Sequence, residues 1–500
     1  MERERGPFER PISPASMAAR ITELERALAD SENAVGSEHP DTLTARSALV
    51  RGYLYLGRAG EAIALAEKNL PACESVLGPD HSDTLRARND LGIGYRTVGH
   101  AADAAALHER NLAIQERLLG PDHSGTIATR SLLADARWAA GRPGPALLGY
   151  QEALGDAERA LGVAHPVTMH TRSNLASAYC SDGRIPESIA LHQQNLDARQ
   201  ADLGPDDPET LSSRHGLARS FVAAGRLVDA VPMFEQVFRD RERVLGAGHP
   251  DTLASRDALA AAYSLAGWFA DAIALHESTA AEAERVLGPG DPRTLAFRND
   301  LAAALHRAGR AEEAIALLEP VVAEREQLLG PDHPDTLASR NDLAAAFARS
   351  GRIAEAIELH ERNATDLDRV LGADHPTTLT ARGNLAAAYG RADRLTEAIA
   401  LHEQTLADRE RLLGPDHPTT LTSCSNLAGA YARAGRLRES INYYKRALAG
   451  RKRVLGTDHP ATRAARDALA HVRDRRHASL LTFRRPRKPA PPADPSPPAA

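Results

Sequence analysis

Lysine, cysteine and aromatic residues are scarce in this sequence of 500 residues, and each shortage argues against a class of protein. Aromatic residues make up only 4% of the chain, which argues against a large aromatic-lined cofactor pocket. The cysteines Cys73, Cys180 and Cys424 lie far apart and include no CxxC pair. They therefore predict neither a disulfide framework nor a thiolate metal site, and reduced thiols in the cytoplasm are the simplest interpretation.

Long apolar runs are also lacking. The longest apolar stretch, residues 258–275, is interrupted by Asp271, and the N-terminus has no apolar segment of the kind that a signal peptide requires. We therefore predict a cytoplasmic protein that does not bind membranes. The net charge of −6 argues against nucleic acid as a partner. The segment from Arg473 onward differs from the rest of the chain, because it contains seven basic residues and only two acidic ones.

The dominant feature of the sequence is a phrase close to Leu-Gly-Pro-Asp-His-Pro-x-Thr-Leu, which recurs every 42 residues without insertion or deletion. The threonine three residues after the histidine position and the leucine ten residues after it occur in all eleven copies. A fixed period of this kind is typical of a repeat protein whose units bury their apolar faces against one another. We call the histidine position the anchor, and it falls at His39, His81, His123, His165, Asp207, His249, Asp291, His333, His375, His417 and His459.

Each repeat has the pattern of two helices. In the eighth repeat, apolar residues at helical spacing predict helix A over 334–350 and helix B over about 354–371. Proline after the anchor suits a first helical turn, and Asp207 and Asp291, which replace the histidine in two repeats, are favoured N-cap residues. A glycine ends helix A in nine of ten full repeats, and Asp393 is the exception. A glycine also follows every helix B, where it predicts a left-handed C-cap.

The repeats predict an all-α solenoid of antiparallel helix pairs, with about ten full repeats and a capping helix at each end. Small residues at fixed positions of both helices favour close packing between them. We expect the solenoid to span residues 17–473, with cap helices at 17–35 and 460–473. Segment 1–16 and the basic, proline-rich segment 474–500 are predicted to be disordered because their composition cannot build a core.

Recurring polar residues are interpreted as structural. An arginine seven residues after the anchor, broken only by Cys424 in the tenth repeat, is predicted to pair with helix B glutamates such as Glu109 and Glu361. Pro320, in the middle of a helix B, predicts a kink. Five histidines share one helix B position that other repeats fill with apolar residues, so they indicate packing and not a metal site: His108, His192, His276, His360 and His402.

The repeat resembles tetratricopeptide repeats, and in particular those of the kinesin light chain type. The resemblance rests on the 42-residue period, the loop Gly-Pro-Asp-His-Pro, and phrases such as Asn-Asp-Leu-Ala at 341–344 and Ser-Asn-Leu-Ala at 173–176. It covers residues 36–470 and implies a right-handed superhelical solenoid. In that family, helix A lines a concave groove, and asparagines of the phrase contact the backbone of an extended cargo peptide.

Carried onto this sequence, the resemblance implies that the peptide-binding groove includes Asn299, Asp300, Asn341, Asp342, Asn384, Asn426, Asn89 and Asn174. A floor of small side chains is expected beside them at Ala261, Ala303, Ala345 and Ala387. In the N-terminal half, a basic patch is expected near the same face, formed by Arg51, Arg86, Arg96, Arg219 and His170.

Two functions remain open from the sequence. The first is an interaction scaffold that binds a protein or peptide partner in the groove, without enzymatic activity, cofactor or metal. The second is a sensor or regulatory subunit for a signalling NTPase of the NB-ARC type or for a transcription regulator. The chain contains no Walker A phosphate loop, so that NTPase would be a separate protein. The sequence does not indicate an oligomeric state.

Overall fold

The computed structural model describes residues 14–483, and it describes side chains for residues 20–478. Helices account for the regular structure of this range. In chain order they are α1 Pro14–Val35, α2 Pro40–Tyr55, α3 Ala59–Val76, α4 Ser82–Thr97, α5 Ala101–Leu119, α6 Ser124–Ala139, α7 Pro143–Leu161, α8 Pro166–Ser181, α9 Ile185–Leu203, α10 Pro208–Ala223, α11 Leu227–Leu245, α12 Pro250–Ala266, α13 Phe269–Leu287, α14 Pro292–Arg307, α15 Ala311–Leu328, α16 Pro334–Ser350, α17 Ile353–Leu371, α18 Pro376–Arg391, α19 Leu395–Leu413, α20 Pro418–Arg433, α21 Leu437–Val454 and α22 Pro460–Phe483.

The order of the helices confirms the predicted solenoid of helix pairs. Each full repeat supplies an even-numbered helix A followed by an odd-numbered helix B, and helix A of the eighth repeat has the predicted bounds. The end helices are longer than expected. The first begins at Pro14 instead of residue 17, and the last continues ten residues beyond 473, into the segment predicted to be disordered. The predictions of disorder for residues 1–13 and 484–500 lie outside the described residues.

The anchor residue begins each helix A by capping it. His333 Nδ1 accepts a hydrogen bond from the backbone N–H of Asp335 at 3.2 Å. Asp291 plays the same part through Oδ1, which accepts from the N–H of Arg293 at 2.8 Å. Each side chain satisfies one of the N–H groups that a helix leaves unpaired at its start. This shared role explains why either histidine or aspartate is found at this position.

In four repeats the invariant threonine joins helix A to the loop before it. Thr336 Oγ1 donates to the carbonyl oxygen of Gly330 at 2.9 Å, and Thr84 Oγ1 makes the equivalent bond to Gly78 at 2.8 Å. The threonine is fully buried in all eleven copies. In these four repeats the hydroxyl satisfies a loop carbonyl, whereas the Oγ1 atoms of Thr126, Thr210, Thr252, Thr294 and Thr462 have no hydrogen-bond partner among the described residues.

The glycines that end the helices adopt two different conformations. Gly351 after helix A has φ 92° and ψ 0°, the expected left-handed cap, and Asp393 adopts a positive φ of 62° at the equivalent place. Gly372 after helix B has φ 89° but ψ 161°. The predicted left-handed cap is therefore wrong for helix B, where the backbone enters a region that only glycine occupies readily.

Small residues and histidines together form the A–B interface. In the eight full repeats where the residue after the invariant leucine is alanine, as at Ala344, that alanine is fully buried. At Gly92, a Cβ atom would lie 2.6 Å from the ring of His108, so this contact requires glycine. The five helix B histidines are at most 4% exposed, which confirms that they are packing residues. Burial lowers the pKa of His360 to about 4, so the ring is neutral at physiological pH.

The repeating arginine forms an ion pair, but not with the predicted partner. Arg340 is buried, and its Nε donates to Glu326 Oε1 at 2.8 Å, at the end of helix B of the preceding repeat. The same spacing joins Arg88 to Glu74 and Arg172 to Glu158. Glu109 and Glu361 instead accept from Arg137 and Tyr389, respectively. The pair with glutamate therefore joins neighbouring repeats, and Arg340 also pairs with Asp366 on helix B of its own repeat at 3.0 Å.

Proline occurs inside three B helices. The helix α15 runs from Ala311 to Leu328 through Pro320, and Pro71 and Pro232 lie within α3 and α11. The kink at Pro320 stays a prediction.

The described residues divide into two compact units, one up to Arg394 and one from Leu395. In the first unit, each A helix contacts the next A helix, from α2 with α4 to α16 with α18. Helices that touch their successors lie at the smaller radius of a stacked array. The A helices therefore form the inner surface of the first unit and the B helices form its outer surface. Among residues 14–483, no helix is both long and apolar enough to cross a bilayer.

Candidate functional site

Polar side chains of successive A helices are joined into a ladder along the inner surface of repeats 7 to 9. Asn299 Nδ2 donates to Asp342 Oδ2 at 2.8 Å, and Asn384 Nδ2 donates to Asn341 Oδ1 at 2.9 Å. Each bond connects residues 43 positions apart, so it crosses from one repeat to the next. Five of the eight predicted groove residues, including Asp300, therefore lie on one continuous surface of α14, α16 and α18.

The ladder begins with a pair of carboxyl groups. Asp300 lies against Asp257 of the preceding repeat, and His276 Nδ1 lies 2.8 Å from the Asp257 carboxylate. Burial, together with the neighbouring Asp257 carboxylate, raises the pKa of Asp300 to about 7. Two carboxyl groups at hydrogen-bonding distance favour a shared proton because two negative charges would repel each other there.

Replacement of Asp300 by asparagine is expected to stabilise the protein above neutral pH. The raised pKa means that the folded state holds a proton that the unfolded state releases near pH 4, so the stability of the native chain falls as the pH rises from about 4 to 7. The asparagine side chain keeps a hydrogen-bond donor at this position, and it carries no negative charge at any pH. At pH 8 the free energy of unfolding is expected to be about 1–2 kcal/mol higher for the variant than for the native chain. The full difference between the folded and unfolded pKa of Asp300 would give about 4 kcal/mol, and the expected value is smaller because the side chain is not fully buried.

The measurement is the difference in thermal midpoint between Asp300→Asn and the native chain from pH 4 to 8. This difference cancels the groups that titrate alike in both chains, so it reports Asp300 together with the neighbours that interact with it. It should be close to zero at pH 4 and grow toward pH 8. Parallel pH profiles would show that Asp300 ionises normally and has no shared proton.

A floor of small side chains follows the ladder, one helical turn further along each A helix. Ala261, Ala303 and Ala345 are partly exposed and Ala387 is exposed, as the predicted floor requires. Because a methyl group projects only a short distance, these positions leave a shallow trough beside the polar ladder.

A row of arginines lies on the far side of the trough, sixteen residues after the anchor. Arg307, Arg349 and Arg391 are exposed at or near the C-terminal ends of α14, α16 and α18. Arg391 reaches back to donate to the carbonyl oxygen of Ala348 at 2.8 Å. Burial lowers the pKa of His306, and the positive charges of the three arginines lower it further, which places the row around this ring. The inner surface here thus has a polar edge, an apolar floor and a basic edge.

A family model for the tetratricopeptide repeat matches residues 49–110, 101–159, 167–242, 220–285, 293–362, 348–410, 377–453 and 423–478. The chain belongs to the tetratricopeptide repeat family. An array of such repeats is a protein–protein interaction scaffold. No curated protein sequence matches the chain significantly.

Solved structures similar to this tetratricopeptide array include kinesin light chain-like proteins. A putative kinesin light chain of Podospora anserina with nearly identical TPR-like repeats is 34% identical, with 41% of this chain and 97% of that chain covered and a TM-score of 0.36. BtubC of P. vanneervenii is 21% identical, with 48% and 94% covered and a TM-score of 0.36. A Rap protein complexed with competence and sporulation factor is 12% identical, with 82% and 98% covered and a TM-score of 0.47.

Three predicted groove residues are not among the bonded residues of the ladder. Asn89 in α4 already donates to Thr129 Oγ1 at 2.9 Å and accepts from Asn111 at 2.8 Å, so its amide joins helices of the array. Asn174 in α8 lines a small cavity of about 160 Å³ together with Asp135 and Tyr150. Asn426 is exposed on α20 in the second unit.

Two of the five residues in the basic patch predicted for the N-terminal half are neutralised by ion pairs. Arg51 donates to Asp90 at 3.1 Å, and Arg86 donates to Asp83 at 2.9 Å. Arg219 is exposed, and its charge helps to lower the pKa of the buried His192. The arginine row of repeats 7 to 9 is a further basic feature of this tetratricopeptide array. That row was not predicted from the sequence, although an alignment of the repeats shows arginine sixteen residues after the anchor from the seventh repeat onward.

The part of the chain with described side chains holds no group of three or more His, Cys, Asp or Glu residues arranged to bind a metal ion. The anchor histidines cap helices and the helix B histidines are packed in the A–B interface. Their abundance follows from the repeat, since each structural position is copied along the array.

Proposed function

We propose that this tetratricopeptide protein binds an extended segment of a partner protein along the inner surface of repeats 7 to 9. The observation that carries the proposal is the trough between the polar ladder and the arginine row, which runs across three A helices. A narrow trough with a different edge on each side suits one extended chain, because its alternate side chains point in opposite directions.

The ladder supports contacts with the backbone of such a segment. A side-chain amide has two N–H donors, and the bond from Asn384 to Asn341 uses only one of the donors on Asn384. In this proposal, the remaining donor of Asn384 faces the trough, next to the alanine floor. Peptide carbonyl groups that run along the trough would complete the pairing of these amides.

The arginine row indicates the charge of the ligand. The side chains of Arg307 and Arg349 make no hydrogen bond or ion pair within residues 20–478, so their guanidinium groups are available to carboxylates. Arginine binds carboxylates with two parallel hydrogen bonds, which gives both affinity and orientation. The preferred segment therefore carries acidic side chains on the edge that faces the row.

Removal of two arginines tests this proposal. Arg307→Ala with Arg349→Ala is expected to weaken binding of the partner segment about tenfold or more, since each charged contact contributes about 1 kcal/mol or more. The matched control is Arg239→Ala with Arg362→Ala, two exposed arginines on B helices of the outer surface. Partners would first be captured from a lysate of the source organism. Short peptides tiled across them would then be measured by fluorescence polarisation.

The outcomes separate the candidate functions. An acidic peptide that binds the native chain and the control, but not the inner variant, would support the scaffold on this surface. Equal binding to both variants would exclude the arginine row. Capture of a signalling NTPase would favour the regulatory-subunit alternative. If Arg307→Ala with Arg349→Ala abolished binding of nucleic acid and not of peptide, the proposal that this surface binds a protein would be overturned.

A further inference from the structure

The first unit contacts itself across a full superhelical turn. Residues at the ends of the A helices in repeats 1 to 3 touch residues at the starts of the A helices in repeats 7 to 9. His375 Nε2 lies 3.2 Å from the carbonyl oxygen of Ala139, which is 236 residues away. His333 hydrogen-bonds the backbone of Thr97, and Arg293 Nη2 lies 3.5 Å from the carbonyl oxygen of Leu56. One turn therefore takes about 5.6 repeats of 42 residues.

The anchor histidine can make this contact because its two ring nitrogens have separate tasks. Nδ1 of His375 accepts from the N–H of Thr377 at 3.2 Å and so caps α18. In the neutral ring, the other nitrogen then carries the proton and donates to the turn above. The pKa of His375 is lowered by burial, which favours this neutral form.

The seventh repeat reaches the same result with different residues. Asp291 caps α14, but a carboxylate has no proton to donate. Arg293 binds both carboxylate oxygens of Asp291, through Nε at 3.0 Å and Nη2 at 2.9 Å, and it is Arg293 that extends to Leu56. A donor toward the neighbouring turn is therefore present whether the anchor is histidine or aspartate.

The glycines of the opposing turns allow the close approach. A Cβ atom at Gly141 would lie 2.6 Å from the His375 ring, and one at Gly99 would lie 2.7 Å from Pro334. Beside these contacts lies a cavity of about 530 Å³, lined by residues of both turns that include His100, Arg142 and His375. The two turns thus meet through fitted contacts and enclose a partly open space.

We propose that these contacts form a clasp: the anchor residues of repeats 7 to 9 hold the first unit closed against the A–B turns of repeats 1 to 3. When the clasp is closed, the contact between the two turns covers the inner surface of the A helices from the side. A long chain would then enter along the superhelical axis, or after these contacts open. The clasp is a property of the first unit, and it stands whether or not the trough binds a peptide.

Aspartate substitutions separate the clasp from the helix caps. His333→Asp with His375→Asp, combined with Arg293→Ala, keeps a carboxylate cap of the kind present at Asp291 and removes all three donors to the opposing turn. The matched control is His81→Asp with His123→Asp. These anchors cap α4 and α6 in the same way, and their rings are exposed.

Two measurements on the full chain test the clasp. Small-angle X-ray scattering should show a larger radius of gyration for the clasp variant and an unchanged one for the control. Amide hydrogen exchange at residues 97–101 and 139–142 should rise about threefold or more in the clasp variant only, because these turns lose their cover. Unchanged far-ultraviolet circular dichroism would show that both variants are folded. Folded variants with equal scattering and exchange would overturn the proposal.

Discussion

Replacement of Arg340 by alanine is expected to lower the free energy of unfolding by about 2–4 kcal/mol. The Arg340 side chain is 1% exposed, and it joins Glu326 of the preceding repeat to Asp366 of its own repeat, the latter at 3.0 Å. Removal leaves a cavity and takes from Glu326 its ion-pair partner, while Asp366 keeps Arg369 at 3.2 Å. Because both carboxylates reach solvent in part, the loss should lie below the upper end of values for fully buried pairs.

The Arg340→Ala prediction is checked by chemical denaturation, with hydrogen exchange to locate the weakened repeats. Because neighbouring repeats stabilise one another, exchange should rise first in α15 to α17. Arg362→Ala, an exposed arginine on α17, is the control and should change stability by no more than about 0.5 kcal/mol. Similar losses for the two variants would show that the buried ion pair does not hold the repeats together.

Replacement of Gly372 by alanine is expected to destabilise the protein by about 1–3 kcal/mol. With φ 89° and ψ 161°, the backbone at this residue is in a region that a Cβ atom makes unfavourable. No atom lies within 4 Å of the added Cβ, so the cost arises from the backbone conformation and not from a steric clash with a neighbour.

Gly383 supplies a control with the opposite expected sign. It lies inside α18, and a Cβ there also meets open space. Gly383→Ala should therefore stabilise the protein by about 0.5–1 kcal/mol, because alanine favours the helix. Thermal unfolding of both variants measures the difference. If Gly372→Ala were neutral or stabilising, the helix B end would not require a glycine conformation.

Features that lie within one repeat could be predicted from the sequence. The bounds of α16, the glycine end of helix A and the burial of His360 all follow from residues close together in the chain. The conformation of Gly372 could not be predicted in full, because a glycine in a sequence indicates a positive φ but does not determine ψ.

Contacts between repeats were harder to predict. Glu326 and Glu361 both lie on B helices, and only the packing of successive repeats places the first beside Arg340. The ladder bond from Asn299 to Asp342 likewise joins residues that the sequence aligns at neighbouring positions of different repeats. The sequence therefore predicts which residues lie on this surface, but it does not predict which of them form hydrogen bonds with one another.

The sequence by itself determined the repeat, its period, its two helices and the residues that cap them, because these depend on interactions within about 42 residues. Only the tertiary structure decided which residues meet across the array. His375 reaches Ala139 because small rotations between repeats add up to one turn over 236 residues. No single repeat encodes that sum, since it depends on how closely every pair of neighbouring helices packs.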